Sequence, residues 1–264
     1  MEDEKQRKVK VNDIRMCQPV GFRSKEEQQI IFVQLTESFE HNEKNVYFYR
    51  PNNVSLCMNI SKKESEKAKK IYKQLVEPKL SIEDTKSIEF KEEETSTLYD
   101  YFEHIHTSLI FIYTAVEAFA NLAIPNTFEY EKVNNKGIKE ICNKENIERW
   151  MPTSEKLIEI LPMVLKTTSP KDTDYWSKFK KLEGMRNDLI HQKTISDMKV
   201  FIQFLDKEIF ELIGSGFKLL TFFCKESSDN PFFPMGFGKR DIIINDVETF
   251  DDIFELIEEG SNRA

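Results

Sequence analysis

The chain predicts an α+β fold that is predominantly α, a helical bundle with a small N-terminal β-containing region and a C-terminal strand and helix. Three observations predict it. Apolar residues recur at steps of three and four from Leu98 to Ala123 and again from Phe201 to Phe223, which is the helical period. Two short runs rich in β-branched and aromatic residues, Ile30-Ile31-Phe32-Val33 and Val46-Tyr47-Phe48-Tyr49, lie near the start and predict strands. With 39% hydrophobic residues, 32% charged residues and 21 Phe, the 264 residues have the composition of a globular chain with a sizeable core. The expected division is a mixed α/β region and linker over 1–94, a bundle over 95–228 and an acidic strand-and-helix tail over 229–264.

Within the first region, Arg50-Pro51-Asn52-Asn53 supplies turn chemistry before a further strand expected at Val54 to Ile60. A helix is expected from Ser61, with Ala68, Ile71, Tyr72 and Leu75 as its apolar positions and its end before Pro78. Residues 79–94 then read as a charged linker. The stretch from Leu98 forms one long helix stopped by Pro125, and its second half is apolar on almost every side, which places it at the centre of the bundle. Shorter helices are expected over Lys136 to Asn143 and Ser154 to Leu165, followed by one from Tyr175 to His191. The last bundle helix is expected to run from Asp197 to about Lys225, with Gly214-Ser215-Gly216 marking a kink or a close helix contact. In the tail, Asp241 to Ile244 predicts a strand that could complete the N-terminal sheet, and Phe250, Ile253, Phe254 and Ile257 line one side of an acidic helix.

Charge narrows the function. A net charge of −8 argues against a general nucleic-acid coat, which works by phosphate neutralisation. The charge is uneven, however. Residues 241–264 hold eight acidic groups against Arg263 alone, a net of −7, whereas Lys166 to Lys193 holds seven basic and four acidic groups, a net of +3. Such a local surplus can host a polyanion, although a solvated helix face has the same composition. The four cysteines, Cys17, Cys57, Cys142 and Cys224, form no C-x-x-C pair and are expected to be reduced thiols. His104 and His106 lie about 200° apart on a helix, so they are not a metal pair, and no metal or cofactor is expected. Gly236-Phe237-Gly238-Lys239 reads as a plain turn. The N-terminus is charged where a secretory signal would be apolar, and the most apolar stretch, Leu109 to Ile124, carries Glu117. The expectation is a cytoplasmic protein without a membrane span.

The sharpest chemical signal is Arg186-Asn187-Asp188-Leu189-Ile190-His191. A guanidinium can stabilise a phosphoryl transition state and an imidazole can move protons, so the pair suits RNA phosphodiester chemistry without a metal. On an ideal helix five residues turn about 140° and rise about 7.5 Å. Arg186 and His191 therefore meet only at a distorted helix end or through a second copy of the chain, which points to a two-fold dimer. Asn187 and His191, at i and i+4, share a face. Glu117 is set into an apolar helix on one strip with His106, Ile110, Tyr113 and, one turn on, Asn121. It must find a partner or take up a proton; Arg186 can be that partner, and a structural hydrogen bond between helices is the alternative.

These residues resemble the HEPN superfamily, all-α domains whose signature is an Arg, a polar residue, a few further positions and a His. The likeness rests on Ser108 to Ile124 with Glu117, on Pro152 to Pro162 and on Phe179 to His191, and it spans about Ser96 to Lys225. It implies a metal-independent endoribonuclease, a toxin or an antiviral defence effector, acting on RNA as a homodimer with both motifs facing one cleft. By that resemblance Arg186 and His191 form the catalytic pair and Asn187 is the ancillary polar residue. Glu117 and Asp188 support them, and Lys178, Lys180, Lys181 and Lys193 are the RNA-binding candidates. An antitoxin or a defence-system protein is the partner such a chain would have. In the branch governed by a nucleotidyltransferase antitoxin a Tyr stands two positions after the His, whereas here that position is Lys193. The rival expectation is a non-catalytic helical module that binds RNA, a nucleotide or a protein. The acidic tail is expected to restrain the cleft by mimicking RNA.

Overall fold

A computed structural model describes residues 13–83, 87–133, 137, 139–190, 198–226 and 244–253. The fold is α+β and predominantly helical. Strands β1 (Val20–Ser24) and β2 (Ile30–Val33) form an antiparallel pair, and β3 (Thr36–His41) pairs with β4 (Lys44–Tyr49). The second hairpin turns through Asn42 and Glu43, both at positive φ (50° and 61°). That is the two-residue turn whose twist matches its flanking strands, and Asn is among the residues that tolerate it. The sequence period did not predict β1 or β3.

Helix α1 (Asn53–Ile71) overturns the strand expected at Val54 to Ile60. The deciding residue is Asn52, whose side chain accepts from the Ser55 N–H at 3.0 Å and so opens a helix eight residues before Ser61. Nor does the helix end before Pro78. A π turn over Tyr72–Val76 leads into α2 (Glu77–Leu80), and the Glu77 N–H bonds the Tyr72 carbonyl, five residues back. Proline has no N–H and crowds the carbonyl four residues earlier; widening the preceding turn by one residue lets the helix pass it.

The long α3 (Thr95–Ala123) buries Tyr101, Ile105, Leu109, Ile112, Val116 and Phe119, and it is the axis of the bundle. It is also the one described helix long and apolar enough to cross a membrane, counted with the 3-10 turn before it, and half of its most apolar stretch is buried by the surrounding protein. Against it α1 sets the small residues Ser61, Ser65 and Ala68, which permit a close approach. Ser108 donates to the Ser61 carbonyl at 2.8 Å across that contact. The α1 segment, assigned by sequence to the first ninety residues, therefore shares one core with α3.

Past α3 the chain departs from expectation again. The helix expected at Lys136 to Asn143 is replaced by β5 (Glu129–Val133) and β6 (Lys139–Asn143), an antiparallel pair, followed by α4 (Lys144–Trp150). Asn143 caps that helix through Asn146 N–H at 3.0 Å. Next come α5 (Thr153–Glu155), a second π turn over Lys156–Ile160 and α6 (Leu161–Leu165), again with a proline, Pro162, just past the wide turn. Helix α7 (Trp176–Ile190) carries the Arg186 segment.

The final expected helix is two, α8 (Lys199–Phe204) and α9 (Glu208–Glu226). Asp206 makes the break, its carboxylate accepting from the Glu208 N–H at 2.9 Å, while buried Tyr101 donates to the Phe204 carbonyl at the end of α8. Through Gly214-Ser215-Gly216 α9 is continuous, and a Cβ on Gly216 would meet Ile112 of α3, which is the close contact expected there. Finally β7 (Ile244–Val247) lies parallel to β1 and completes a sheet of order β2-β1-β7. Its described part overlaps the stretch the sequence predicted at Ile244; 241–243 lie outside the described residues. So do Gly236 to Lys239 and the tail beyond Ile253. Phe22, Val247 and Ile253 form a satellite core beside this sheet.

Candidate functional site

Three helical segments meet around the Arg186 side chain: the second half of α3, the start of α5 with its π turn, and the last turns of α7. The strip read from the sequence on α3 is the one that faces this junction. Tyr113, Glu117 and Asn121, spaced by four, present successive polar groups along one helix face. Each finds a different partner.

Arg186 Nη2 lies 3.8 Å from Glu117 Oε2, the pairing anticipated for a carboxylate set among apolar neighbours. Glu117 also accepts from the Thr153 hydroxyl at 3.4 Å. The side chains are 22% exposed for Arg186 and 39% for Glu117, so the pair sits at the edge of the bundle within reach of solvent. The guanidinium carbon stands 4.7 Å from the centre of the Tyr113 ring, and Nη1 donates to Asn187 Oδ1 at 3.1 Å. Arg186 Nε is buried without a hydrogen-bond partner among the described residues.

Tyr113 is itself fixed. Its hydroxyl donates to Glu183 Oε1 at 3.2 Å and its ring stacks on Phe179 with centroids 6.0 Å apart and planes 8° from parallel. Burial pushes its phenol up to about 12, with the Thr153 hydroxyl pulling the other way, so the group is a neutral donor at physiological pH. Lys180, one turn before Glu183 on α7, bonds the other Glu183 oxygen and also the Ser154 hydroxyl at 3.0 Å.

The third strip residue, Asn121, accepts from Lys156 Nζ at 2.8 Å, and the Glu148 carbonyl accepts from the same ammonium at 2.9 Å. Lys156 is 1% exposed, an uncommon setting for a lysine. It opens the second π turn, and that local rewinding carries it inward beside Leu157 and Ile160. Nothing in the helical period of the sequence marked it. Burial is the largest cause moving its pKa, pushing the ammonium below the ordinary 10.5, while Glu117 and Glu148 pull it back up.

A stability consequence follows from that direction. In the pH window between the lowered folded value and 10.5, the unfolded chain binds more protons at this site than the folded chain does. Stability therefore rises with pH across the window, as the cost of the buried charge disappears. Urea unfolding of wild type and Lys156→Met at stepped pH is expected to show a steeper rise for wild type; identical slopes would assign the effect elsewhere.

The other candidates divide. Lys178 pairs with Glu211, and Lys181 with Glu208 at 2.9 Å, so both point to α9 rather than to the junction. Lys180 stands on the side of Glu183 and Asn187. Asp188 is exposed and makes no ion pair among the described residues. His191 and Lys193 lie outside the described residues, as α7 is described as far as Ile190.

Of the remaining groups singled out in the sequence, His104 Nδ1 meets Glu64 at 2.6 Å, and His106 is half-buried with its pKa lowered by desolvation. All four cysteines are free, with burial pushing the Cys17 thiol up to about 11. Among the described residues no three His, Cys, Asp or Glu side chains gather as metal ligands. In the described part of the acidic tail Glu248 pairs with Lys25 at 2.5 Å and Asp246 with Arg23 at 3.9 Å, which anchors this stretch to β1.

Chemically, the junction presents one guanidinium contacted by a carboxylate, an aromatic ring and an amide, with its side chain 22% exposed. Comparison with protein-family models, with curated proteins and with solved structures finds no match for the chain.

Proposed function

We propose that the chain is a HEPN-like, metal-independent endoribonuclease, acting as a homodimer in a toxin or antiviral defence role. The observation that carries the reading is the anchored Arg186 guanidinium at the edge of the bundle, five residues before His191 on the same segment. In the proposed reaction the ribose 2′-oxygen bonds to the adjacent phosphorus and the bond from phosphorus to the 5′-oxygen breaks. The products are a 2′,3′-cyclic phosphate and a 5′-hydroxyl. His191, as an imidazole, the side chain whose free pKa lies near neutrality, moves the proton from the 2′-hydroxyl or delivers one to the leaving oxygen. Arg186 faces the charge that builds on the phosphorane oxygens. Neither step requires a metal.

Lys180 and Arg186 are the cations this reading places along the RNA backbone, with Lys193 beyond them. Lys178 and Lys181 can join only by leaving their α9 carboxylates, and exposed pairs of that kind contribute little, so the exchange is cheap. The same two pairs are the observation that favours the second reading, a non-catalytic helical module, because they leave the α7 surface less basic than its sequence.

Purified protein incubated with tRNA and total RNA in EDTA decides between them. Cleavage by wild type, lost in His191→Ala, is the expected result. Intact RNA, or equal cleavage by His191→Ala, would overturn the enzyme reading and leave the binding module.

A further inference from the structure

The Tyr113 ring is placed more carefully than a core aromatic needs to be. It is buried, stacked on Phe179, tethered through its hydroxyl to Glu183, and approached by the Arg186 guanidinium, whose carbon lies 4.7 Å from the ring centre. Glu183 is in turn bonded by Lys180, so the tether is not free to swing. An arginine side chain has several rotatable bonds, and an ion pair at 3.8 Å alone does not choose among its rotamers. The ring narrows that choice, because the guanidinium carbon is held 4.7 Å from its centre.

We infer that Tyr113 is a positioning residue for Arg186, a fixed aromatic shelf that orients the guanidinium toward an RNA phosphodiester. The shelf stands on geometry alone, whereas its service to a phosphodiester rests on the ribonuclease reading. Electrostatics support the arrangement. The ring face is the negative part of an aromatic quadrupole, so it attracts the cation without consuming the donor edge that a phosphate would bind. Asn187 holds one Nη1 hydrogen, and Glu117 approaches Nη2 at a distance long enough for a better anion to displace it.

The shelf has a consequence that a merely structural tyrosine lacks. Replacing it by a residue of similar bulk without a π face should leave folding intact and release the guanidinium, lowering turnover more than substrate affinity.

The test has two readouts. In the wild-type protein, NMR is expected to show the Arg186 Nε–H resonance shifted upfield by the Tyr113 ring, with cross-relaxation to the ring protons. Tyr113→Phe should retain the shift, and Tyr113→Leu should abolish it. With RNA, Tyr113→Leu is expected to lose about tenfold in kcat with KM little changed, and Tyr113→Phe to stay near wild type. A wild-type Arg186 resonance with no ring shift and no contact to Tyr113 overturns the shelf, whether or not Tyr113→Leu folds. A lost shift with unchanged kcat overturns the catalytic half of the inference. Intact RNA with every protein, alongside the expected wild-type NMR, keeps the shelf and removes the ribonuclease reading instead.

Discussion

Arg186→Ala is expected to lower RNA cleavage by about 10²–10³-fold, the usual cost of removing one preorganised donor to a transition-state oxyanion. The loss should read chemistry and not unfolding. Glu117, the ion-pair partner left behind, is 39% exposed and keeps its bond from Thr153, so water can serve the vacated side at a stability cost of about 1 kcal/mol or less. Arg186→Lys sharpens the test, since it keeps the charge but gives up the planar fork and the guanidinium's contact with Tyr113. If the guanidinium acts only as a point charge, the lysine variant will recover most of the rate; if orientation matters, it will stay close to the alanine variant. Initial rates on one end-labelled RNA, with circular dichroism to confirm equal folding, settle the matter. Wild-type rates from Arg186→Ala would remove the catalytic assignment.

The part of this site that could be read in advance is the part governed by charge. A carboxylate in an apolar stretch must be answered by something, and Glu117 is answered by Arg186. The part that could not be read is governed by geometry that a helical period does not encode. Lys156 looks like an ordinary surface lysine until the π turn rewinds the helix and carries it inward. Tyr113 looks like one more core aromatic, because its role depends on which face of α7 is turned toward it. The four candidate lysines were grouped by their sequence neighbourhood, yet the helix sends Lys178 and Lys181 to α9 and Lys180 to the junction.

The same division runs through the fold. Long periodic stretches were legible, so α3 and α7 stand close to where the spacing puts them. Segments decided by a single capping side chain were not. Val54 to Ile60 has the apolar density of a strand, and Asn52 makes it helix; the stripe from Phe201 onward runs unbroken, and Asp206 divides it. Pro78 fails to stop a helix because the turn before it is wide. In each case one local hydrogen bond or one extra residue in a turn outweighs the pattern of the surrounding ten.

Gly214 and Gly216 allow that balance of local and tertiary effects to be measured within one helix, with opposite signs expected two residues apart. Both lie inside α9, where glycine costs about 1 kcal/mol relative to alanine through backbone entropy. A Cβ on Gly214 would meet nothing within 4 Å, so Gly214→Ala is expected to stabilise the protein by up to about 1 kcal/mol. A Cβ on Gly216 would lie 2.5 Å from Ile112 Cγ1 and 3.6 Å from Val116 Cγ2, both on the central helix. Ile112 is fully buried and β-branched, so it has no easy rotamer into which to retreat. Gly216→Val should therefore destabilise by about 1–3 kcal/mol, the usual cost of overpacking. Gly216→Ala should fall between the two, its helical gain offset by the same clash. Urea midpoints for the three variants give the signs directly, provided the slopes match wild type. Stabilisation by Gly216→Val would mean that α9 and α3 do not approach as closely as this packing requires. Tyr113 follows Ile112 directly on α3, so a shift at that contact would also move the shelf on which Arg186 rests.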